Sequence, residues 1–360
     1  MKKKPKIDSP IFFVGVRDNG IVSFGSGQPD LPPPKQIFKI LPDYRSFKYG
    51  LTQGQINLRE ALAKQYPGAK AENFVITNGA SEALDLTIRA LSQKFHGGKI
   101  MLFRPYYYSY PFLAKMSGMT PVISDLKEGK IDLNDFKKKI KGCRAILINS
   151  PSNPTGKIES IETLKEIEKI TQKLGIYVLS DEVYKDLIYE RENYLLHGPR
   201  VVTINSFSKT YAMCGFRVGY LYSSDKELVR AAVEIKARTS MNTSILSQEM
   251  AYEATKVPRK QIDSQIKTWR ERRDMIYKGL RDMGFSLWKP EGAFYVFPKI
   301  KNANRVVNDL FYKHKVITYD GAWFGNPDRI RLSYALDVKD IKEGLKRIKK
   351  YIKGKESWLK

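Results

Sequence analysis

A lysine follows a short apolar run that has the composition of a buried strand. The run Val201–Asn205 leads into Ser206-Phe-Ser-Lys209-Thr210, and Arg217 comes eight residues after the lysine. A primary amine can attack a carbonyl carbon to form a Schiff base, and an arginine can grip a phosphate through two parallel hydrogen bonds. Surface lysines also occur in such segments, so the pattern indicates amine chemistry only in combination with other residues.

A second predicted strand, Tyr177–Ser180, ends in Asp181-Glu-Val-Tyr184. In an open α/β sheet the carboxyl ends of the strands face the ligand crevice. Asp181 and Tyr184 are therefore predicted to point toward the same crevice as Lys209.

Two further strand ends carry candidate binding residues. Ser150-Pro-Ser-Asn-Pro-Thr-Gly156 follows the run Ala145–Asn149, and Thr77-Asn-Gly-Ala-Ser81 opens a helical pattern. Backbone N–H groups at a helix start can hold a phosphate. The structural alternatives are a tight turn for the first segment and a plain N-cap by Ser81 for the second.

Alternating strands and helices must position these residues. Short apolar runs predict strands at Phe74–Thr77, Ile100–Phe103, Pro121–Ser124, Ala145–Asn149, Tyr177–Ser180, Val201–Asn205 and Val218–Tyr222. Amphipathic stretches predict intervening helices at Ser81–Lys94, Leu133–Lys141 and Ile161–Leu174. This alternation favours an α/β fold whose large domain has a mostly parallel sheet covered by helices on both faces.

The pattern changes after about residue 225. Helical periodicity dominates from Lys226 to about Met283. Short strands are then predicted at Phe285–Trp288, Ala293–Phe297 and Ile330–Tyr334, before a closing helix at Val338–Lys353. We predict a smaller α+β domain from residues 1–37 and 265–360, built from the N-terminal segment and the C-terminal part, and a large domain from residues 38–264.

Composition narrows the class of protein. The 360 residues are 42% hydrophobic and 12% aromatic, which suits a globular protein large enough for two domains. No apolar run approaches the roughly 18 residues of a membrane helix, and no apolar segment typical of a secretory signal follows the N-terminal lysines. Cys143 and Cys214 lack metal-ligand spacing. We expect a soluble, cytoplasmic protein without a metal site or membrane partner.

The charge is unusual, because 63 basic and 38 acidic residues give a net charge of +25. Such a field attracts phosphates, nucleic acid or anionic substrates. The basic residues are spread along the chain rather than gathered in one block, which favours a lysine-rich surface over nucleic-acid binding.

Taken in chain order, these segments resemble the motifs of fold-type-I pyridoxal-phosphate enzymes in the class I/II branch of the aspartate aminotransferase family. The matching motifs are Gly27-Gln-Pro-Asp30, Tyr49 with Gly54 and Leu58-Arg59, Asn78-Gly-Ala-Ser81, Pro105-Tyr-Tyr107, Asn153-Pro-Thr-Gly156, Asp181-Glu-Val-Tyr184, Ser206-Phe-Ser-Lys209, Gly215-Phe-Arg217, Gly292-Ala-Phe-Tyr295 and Arg331-Leu-Ser. The resemblance extends from about residue 20 to the end.

This resemblance implies that pyridoxal 5′-phosphate is bound to Lys209 as a Schiff base, and that Lys209 later carries a proton at the substrate α-carbon. Asp181 would pair with the pyridinium nitrogen. Asn153 and Tyr184 would hydrogen-bond the ring oxygen O3′ and hold down the imine pKa. The remaining implied cofactor contacts are phosphate binding by Ala80, Ser81, Ser206, Ser208 and Arg217, and ring stacking by Tyr107.

The resemblance also implies a substrate clamp and a shared site. Arg331 would bind the substrate α-carboxylate, helped by Gly27 and Asn153. Arg329, two residues away, is the alternative clamp, and its structural interpretation is a solvated charge at a strand edge. Tyr49 would reach the phosphate of a neighbouring subunit, which implies a homodimer with shared active sites.

Several aromatic residues remain open between two roles. Trp323 and Phe324 would line a side-chain pocket or belong to the core of the small domain. Phe12, Phe13 and Val14 would touch the substrate or pack on a partner subunit.

The function implied is transfer of an amino group between an L-amino acid and a 2-oxo acid, with 2-oxoglutarate as the acceptor. The same scaffold supports C–S lyases, amino-acid decarboxylases and aminotransferases of the histidinol-phosphate type. A transcriptional regulator is a further alternative, and we disfavour it because no DNA-binding module precedes residue 20.

Overall fold

The computed structural model of the chain describes residues 7–13, 15–16, 20–190 and 192–359. Its strands are β1 Val22–Ser23, β2 Phe74–Thr77, β3 Lys99–Arg104, β4 Thr120–Lys127, β5 Lys130–Ile131, β6 Cys143–Asn149, β7 Tyr177–Asp181, β8 Val201–Ser206, β9 Gly219–Tyr222, β10 Tyr295–Val296, β11 Val316–Ile317, β12 Tyr319–Asp320 and β13 Ile330–Ser333. Its α-helices are α1 Ile56–Ala63, α2 Ala80–Phe95, α3 Tyr110–Met116, α4 Leu133–Lys139, α5 Ile161–Leu174, α6 Lys226–Thr239, α7 Ile245–Thr255, α8 Arg259–Asp282, α9 Ala303–His314 and α10 Val338–Ile352.

Eight strands form one mixed sheet in the order β2-β9-β8-β7-β6-β3-β4-β5. The pairs β8–β7, β7–β6, β6–β3 and β3–β4 are parallel, whereas β9 is antiparallel to both of its neighbours. Because β9 runs opposite to β2 and β8, those two strands point the same way. The carboxyl ends of β2, β6, β7 and β8 therefore lie along one edge of the sheet.

Alternate residues along the strands pack into two hydrophobic layers, one on each face of the sheet. Ala145 and Leu147 of β6 pack with α2, α3 and α6, whereas Ile146 and Ile148 pack with α4 and α5. Both faces of the central strands are thus buried, which is why these strands read as continuous apolar runs. The predicted α/β class with a sheet covered on both faces is confirmed.

The C-terminal part contributes two small sheets. Strands β10, β13 and β12 form an antiparallel sheet, and β1 pairs in parallel with β11. Helices α8, α9 and α10 share a hydrophobic cluster with these strands. The N-terminal strand thereby joins the smaller α+β unit, as predicted. The predicted boundary after residue 264 lies inside α8, and the exact division into domains stays a prediction.

Most sequence-predicted elements recur within a few residues, and one does not. The predicted strand Phe285–Trp288 is wrong, because this stretch adopts no strand. Phe285 and Leu287 are buried while Ser286 between them is exposed. The burial alternates as in a strand, but the segment is an extended stretch packed on the core without a continuous ladder of hydrogen bonds.

Within the described ranges, no helix is long and apolar enough to cross a membrane. No group of three or more His, Cys, Asp or Glu residues in the described part of the chain could hold a metal ion.

Candidate active site

A cavity of about 490 Å³ opens at the carboxyl edge of the large sheet. Every sequence-predicted site residue except Tyr49 lines it. These residues are Gly27, Ala80, Ser81, Tyr107, Asn153, Asp181, Tyr184, Ser206, Ser208, Lys209, Arg217 and Arg331. Residues separated by up to 304 positions in the chain are thus gathered at one edge of the sheet.

Lys209 follows β8 and extends across the cavity toward the N-terminal segment. Its Nζ donates a hydrogen bond of 2.6 Å to the carbonyl oxygen of Gly27. Burial lowers the pKa of the Lys209 amine below its ordinary value, and the charges of Arg331 and Arg217 act in the same direction. A lowered pKa makes the neutral, nucleophilic amine more accessible near neutral pH.

Asp181 ends β7 and is 4% exposed. Burial raises its pKa to about 6, although hydrogen bonds from the Tyr110 hydroxyl and the Val183 N–H oppose that rise. Asn149, at the end of β6, donates 2.9 Å to the Asp181 carbonyl oxygen and accepts 2.8 Å from the Asn153 N–H. Asn149 therefore fixes the 150–156 turn against the strand that carries Asp181.

The start of α2 and the end of β8 approach each other closely. Gly219 of β9 lies between them, and a Cβ added there would come within 2.6 to 2.8 Å of the backbone of Gly79, Ala80 and Asn205. Only glycine permits this approach. The arrangement brings Ser206 and Ser208 close to the free N–H groups at the start of α2, which suits an anion.

Arg217 completes this cradle. Its guanidinium donates 3.0 Å to the Cys214 carbonyl and 3.2 Å to the Asn78 carbonyl. Both partners are neutral oxygens, so the charge of Arg217 is not compensated by these contacts. A dianionic phosphate is a chemically suited ligand for this group.

Arg331, in β13, is 2% exposed. It donates 3.0 Å to Oδ1 of Asn153 and 2.5 Å to the carbonyl oxygen of Gly25, and its Nε has no hydrogen-bond partner among the described residues. Tyr295 and Tyr319 present their rings to its Cζ at 4.5 and 4.6 Å. A buried cation with neutral partners and a spare N–H is suited to bind a carboxylate.

Arg329 lies outside this constellation. Its guanidinium stacks on the Trp288 ring at 3.8 Å and donates 2.6 Å to the Phe297 carbonyl oxygen. It does not line the cavity. The structural alternative of a solvated edge charge is therefore replaced by a half-buried cation–π contact.

The sequence model of the family described as "Aminotransferase class I and II" matches residues 19–348. The chain belongs to this family. The predicted family and the predicted aminotransferase class are both confirmed.

Similar proteins support the assignment over nearly the whole chain. A probable aspartate aminotransferase of Methanocaldococcus jannaschii is 33% identical, with 96% of each chain covered. A (5-formylfuran-3-yl)methyl phosphate transaminase of the same organism is 32% identical, covering 92% of this chain and 91% of its own. The crystal structure of aspartate aminotransferase from Thermotoga maritima superposes with a TM-score of 0.87 at 29% identity, with 92% of each chain covered. Two relatives that are about equally identical to this chain are thus named for different substrates.

Members of this aminotransferase family are pyridoxal-phosphate enzymes, and the residues of the cavity fit that group. The phosphate needs an anion cradle, which Arg217, Ser206, Ser208 and the start of α2 form. The ring nitrogen needs a carboxylate, and Asp181 lies buried in the cavity without an ion pair to any described residue.

Sequence reasoning missed three residues that support the site of this aminotransferase. Tyr110 holds Asp181, Asn149 holds the 150–156 turn, and Tyr295 places its hydroxyl 2.7 Å from that of Tyr184. Tyr110 begins a helix three residues after Tyr107, a spacing that could have marked it. Tyr295 lies in the motif at 292–295, which carried the family resemblance without a role.

The aromatic residues whose roles the sequence left undecided pack against other aromatic side chains. Phe324 is fully buried against Phe297 and Tyr108, and Trp323 packs edge-on against Tyr319. Neither lines the cavity, which favours the core interpretation. Phe13 stacks on Tyr319 at 5.9 Å, and Phe12 packs on Phe311. Val14 lies outside the described residues.

Proposed function

We propose that this aminotransferase carries pyridoxal 5′-phosphate on Lys209 and transfers an amino group between an L-amino acid and a 2-oxo acid. The observation that carries the proposal is the position of the Lys209 amine in a cavity shared by a buried carboxylate, Asp181, and a buried cation, Arg331. When bound, the cofactor supplies a carbonyl carbon for amine exchange and an electron-withdrawing ring.

The residues proposed to hold the cofactor match its chemical groups. Asp181 would pair with the ring nitrogen, and Tyr184 and Asn153 would donate to the ring oxygen. Tyr107 would stack on the ring. The proposed phosphate ligands are Ala80, Ser81, Ser206, Ser208 and Arg217.

Arg331 is proposed to bind the substrate α-carboxylate. Asn153 and the backbone of Gly27 would help to hold that carboxylate. Two parallel hydrogen bonds from one guanidinium orient a carboxylate and so fix the direction of the Cα–H bond. Nζ of Lys209, with its lowered pKa, would then take up and return that proton.

We also propose a homodimer in which Tyr49 reaches the site of the partner subunit. Tyr49 is 82% exposed, and nearby Phe47 and Leu51 are 84% and 61% exposed. Large apolar side chains clustered in one exposed segment are typical of an interface. The amino acceptor 2-oxoglutarate and the cytoplasmic location stay predictions.

Lys209→Ala tests the central proposal. The wild-type protein with added pyridoxal phosphate should absorb visible light, and an amino acid should change that spectrum. The variant should lose turnover, whereas Lys185→Arg, at another half-buried lysine, should keep it. Turnover retained by Lys209→Ala would refute the assignment.

A panel of L-amino acids with 2-oxoglutarate identifies the reaction and its donor. Glutamate formed in step with the 2-oxo product would establish transamination. Pyruvate, ammonia or carbon dioxide released without an acceptor would instead favour a lyase or a decarboxylase.

A further inference from the structure

Tyr295 connects the two halves of the cavity. It is 1% exposed, and its hydroxyl lies 2.7 Å from that of Tyr184. Its ring faces Cζ of Arg331 at 4.5 Å. Its hydroxyl also abuts Gly27, where a Cβ would collide with it. One side chain thus touches the residue proposed for the ring oxygen and the residue proposed for the substrate carboxylate.

The pair of hydroxyls restricts where each proton can point. A phenol carries a single proton, so one of the two tyrosines must donate to the other. If Tyr184 is to donate to a cofactor oxygen, it must accept from Tyr295. A hydroxyl that accepts a hydrogen bond becomes a stronger donor in turn.

We propose that Tyr295 is a positioning residue that couples carboxylate binding at Arg331 to the strength of the hydrogen bond that Tyr184 donates to the cofactor. This inference rests on the proposed function. Tyr295 contacts no predicted reacting atom and acts through Tyr184.

Arg331 supplies the change in charge. It donates hydrogen bonds to the amide oxygen of Asn153 and the carbonyl oxygen of Gly25, and no carboxylate among the described residues forms an ion pair with it. Its uncompensated charge above the Tyr295 ring favours donation by the Tyr295 hydroxyl. A bound carboxylate would neutralise that charge and weaken the donation.

Burial and neighbouring groups define the electrostatic environment of the pair. Burial raises the pKa of Tyr295 to about 12, with Arg331 and the hydrogen bond with Tyr184 lowering it and Tyr107 and Cys214 raising it. Burial also raises the pKa of Tyr184 above its ordinary range, with Tyr295 and Asp181 adding to the rise and Arg331 opposing it. Lys209 Nζ lies 5.9 Å from the Tyr184 ring. Of these groups, Arg331 is the one that a substrate carboxylate would neutralise.

The coupling has a direction. Before a carboxylate binds, Tyr184 would donate strongly to the cofactor oxygen and hold that oxygen in its ionised form. An ionised oxygen favours loss of the proton from Nζ of Lys209, the nitrogen that would join the chain to the cofactor. After the carboxylate binds, the hydrogen bond from Tyr184 would weaken and Nζ would keep its proton to higher pH. The pH midpoint of the visible absorbance of the bound cofactor should therefore rise when a carboxylate binds.

The test compares this midpoint with and without propionate, an unreactive monocarboxylate, at constant ionic strength. Propionate should raise the wild-type midpoint. Tyr295→Phe should raise it by about half a pH unit without propionate and should lose more than half of the propionate response. Tyr319→Phe is the matched control, because its ring also faces Arg331 but no described hydrogen bond joins it to Tyr184. The control should keep the wild-type behaviour.

A double variant separates coupling from independent effects. Arg331→Gln should abolish the propionate response, and adding Tyr295→Phe should shift the midpoint by less than the sum of the two single shifts. Three results would overturn the inference. The first is a Tyr295→Phe variant whose pH midpoint and propionate response equal those of wild type. The others are midpoint shifts that add in the double variant, and a Tyr319→Phe variant that changes the midpoint as much as Tyr295→Phe does. A wild-type protein that gains no visible absorbance with pyridoxal phosphate would instead refute the proposed function itself.

Discussion

The hydroxyl of Tyr110 donates a buried hydrogen bond of 2.5 Å to Oδ2 of Asp181. Tyr110 is the first residue of α3, and Asp181 is the last residue of β7, so the bond joins the helix after the Tyr106–Tyr108 run to the centre of the sheet. Burial raises the pKa of Asp181, and this bond acts against the rise. Tyr110 therefore helps to keep the carboxylate ionised.

Tyr110→Phe is expected to weaken binding of pyridoxal phosphate. Without the hydroxyl, the Asp181 pKa rises above about 6, so less of the carboxylate is ionised near pH 6.5. A hydrogen bond to a charged group contributes about 1.5 to 3 kcal/mol, which predicts a loss of affinity of roughly tenfold or more. The loss should be larger at pH 6.5 than at pH 8.5 in a spectroscopic titration of the apoprotein.

Tyr177→Phe controls for loss of a phenol–carboxylate bond. Tyr177 also donates 2.5 Å to a carboxylate, Asp225, but neither residue lines the cavity. Its removal should leave cofactor affinity unchanged. Equal affinities of wild type and Tyr110→Phe at both pH values would contradict the assigned role.

Arg331→Gln is expected to lower kcat/KM for amino acids by roughly 100-fold, because a buried charge partner of the carboxylate is lost. Arg329→Gln provides a control two residues away, since Arg329 stacks on Trp288 outside the cavity. Its kcat/KM should stay within about threefold of wild type, as is usual for a site away from the chemistry. A greater loss in Arg329→Gln than in Arg331→Gln would reverse the assignment of the clamp.

The elements that carry the site could be predicted because each strand end has its own local pattern. Continuous apolar runs marked β6, β7 and β8, and polar residues followed each run directly. Since parallel strands end at the same edge, Asp181 and Lys209 could be placed together without a structure.

The supporting contacts could not be predicted in the same way. The bond between Tyr184 and Tyr295 joins residues 111 positions apart, and nothing in either local pattern specifies it. The prediction of a strand at Phe285–Trp288 failed for a related reason. Alternation of apolar and polar residues indicates burial on one face, but it does not indicate whether a partner strand exists.

Glu182→Gln is expected to stabilise the protein at alkaline pH. Glu182 is 1% exposed, and burial raises its pKa to about 7 from an ordinary value of 4.5. The folded protein therefore binds this proton more tightly than the unfolded chain does. The resulting stability is present below about pH 4.5 and is lost as the pH rises through about 7.

A glutamine keeps the neutral form at every pH. The free energy of unfolding at pH 8 should rise by about 3 kcal/mol relative to wild type, and the gain should shrink toward pH 5. Urea unfolding of the apoprotein at both pH values measures this difference. Glu166→Gln, at a carboxylate paired with Lys137 on the surface, should give no gain at pH 8. A destabilised Glu182→Gln at pH 8 would show that the ionised carboxylate is needed for folding.

Mixing two variants with different defects tests whether Tyr49 completes the site of a partner subunit. Tyr49→Ala should have lowered activity because its exposed side chain would no longer reach the neighbouring phosphate. Lys209→Ala should be inactive. In a mixed dimer, the subunit that keeps Lys209 would receive Tyr49 from the other chain, so one of the two sites would be intact.

Unfolding and refolding the two variants together at equal concentration should make about half of the dimers mixed, and hence restore about a quarter of wild-type activity. Refolding each variant alone supplies the baseline. Restoration requires Tyr49 and Lys209 to act from different chains, because a site built within one chain would have a defect in both variants. Activity of the mixture no greater than the mean of the two baselines would place Tyr49 outside the partner's site.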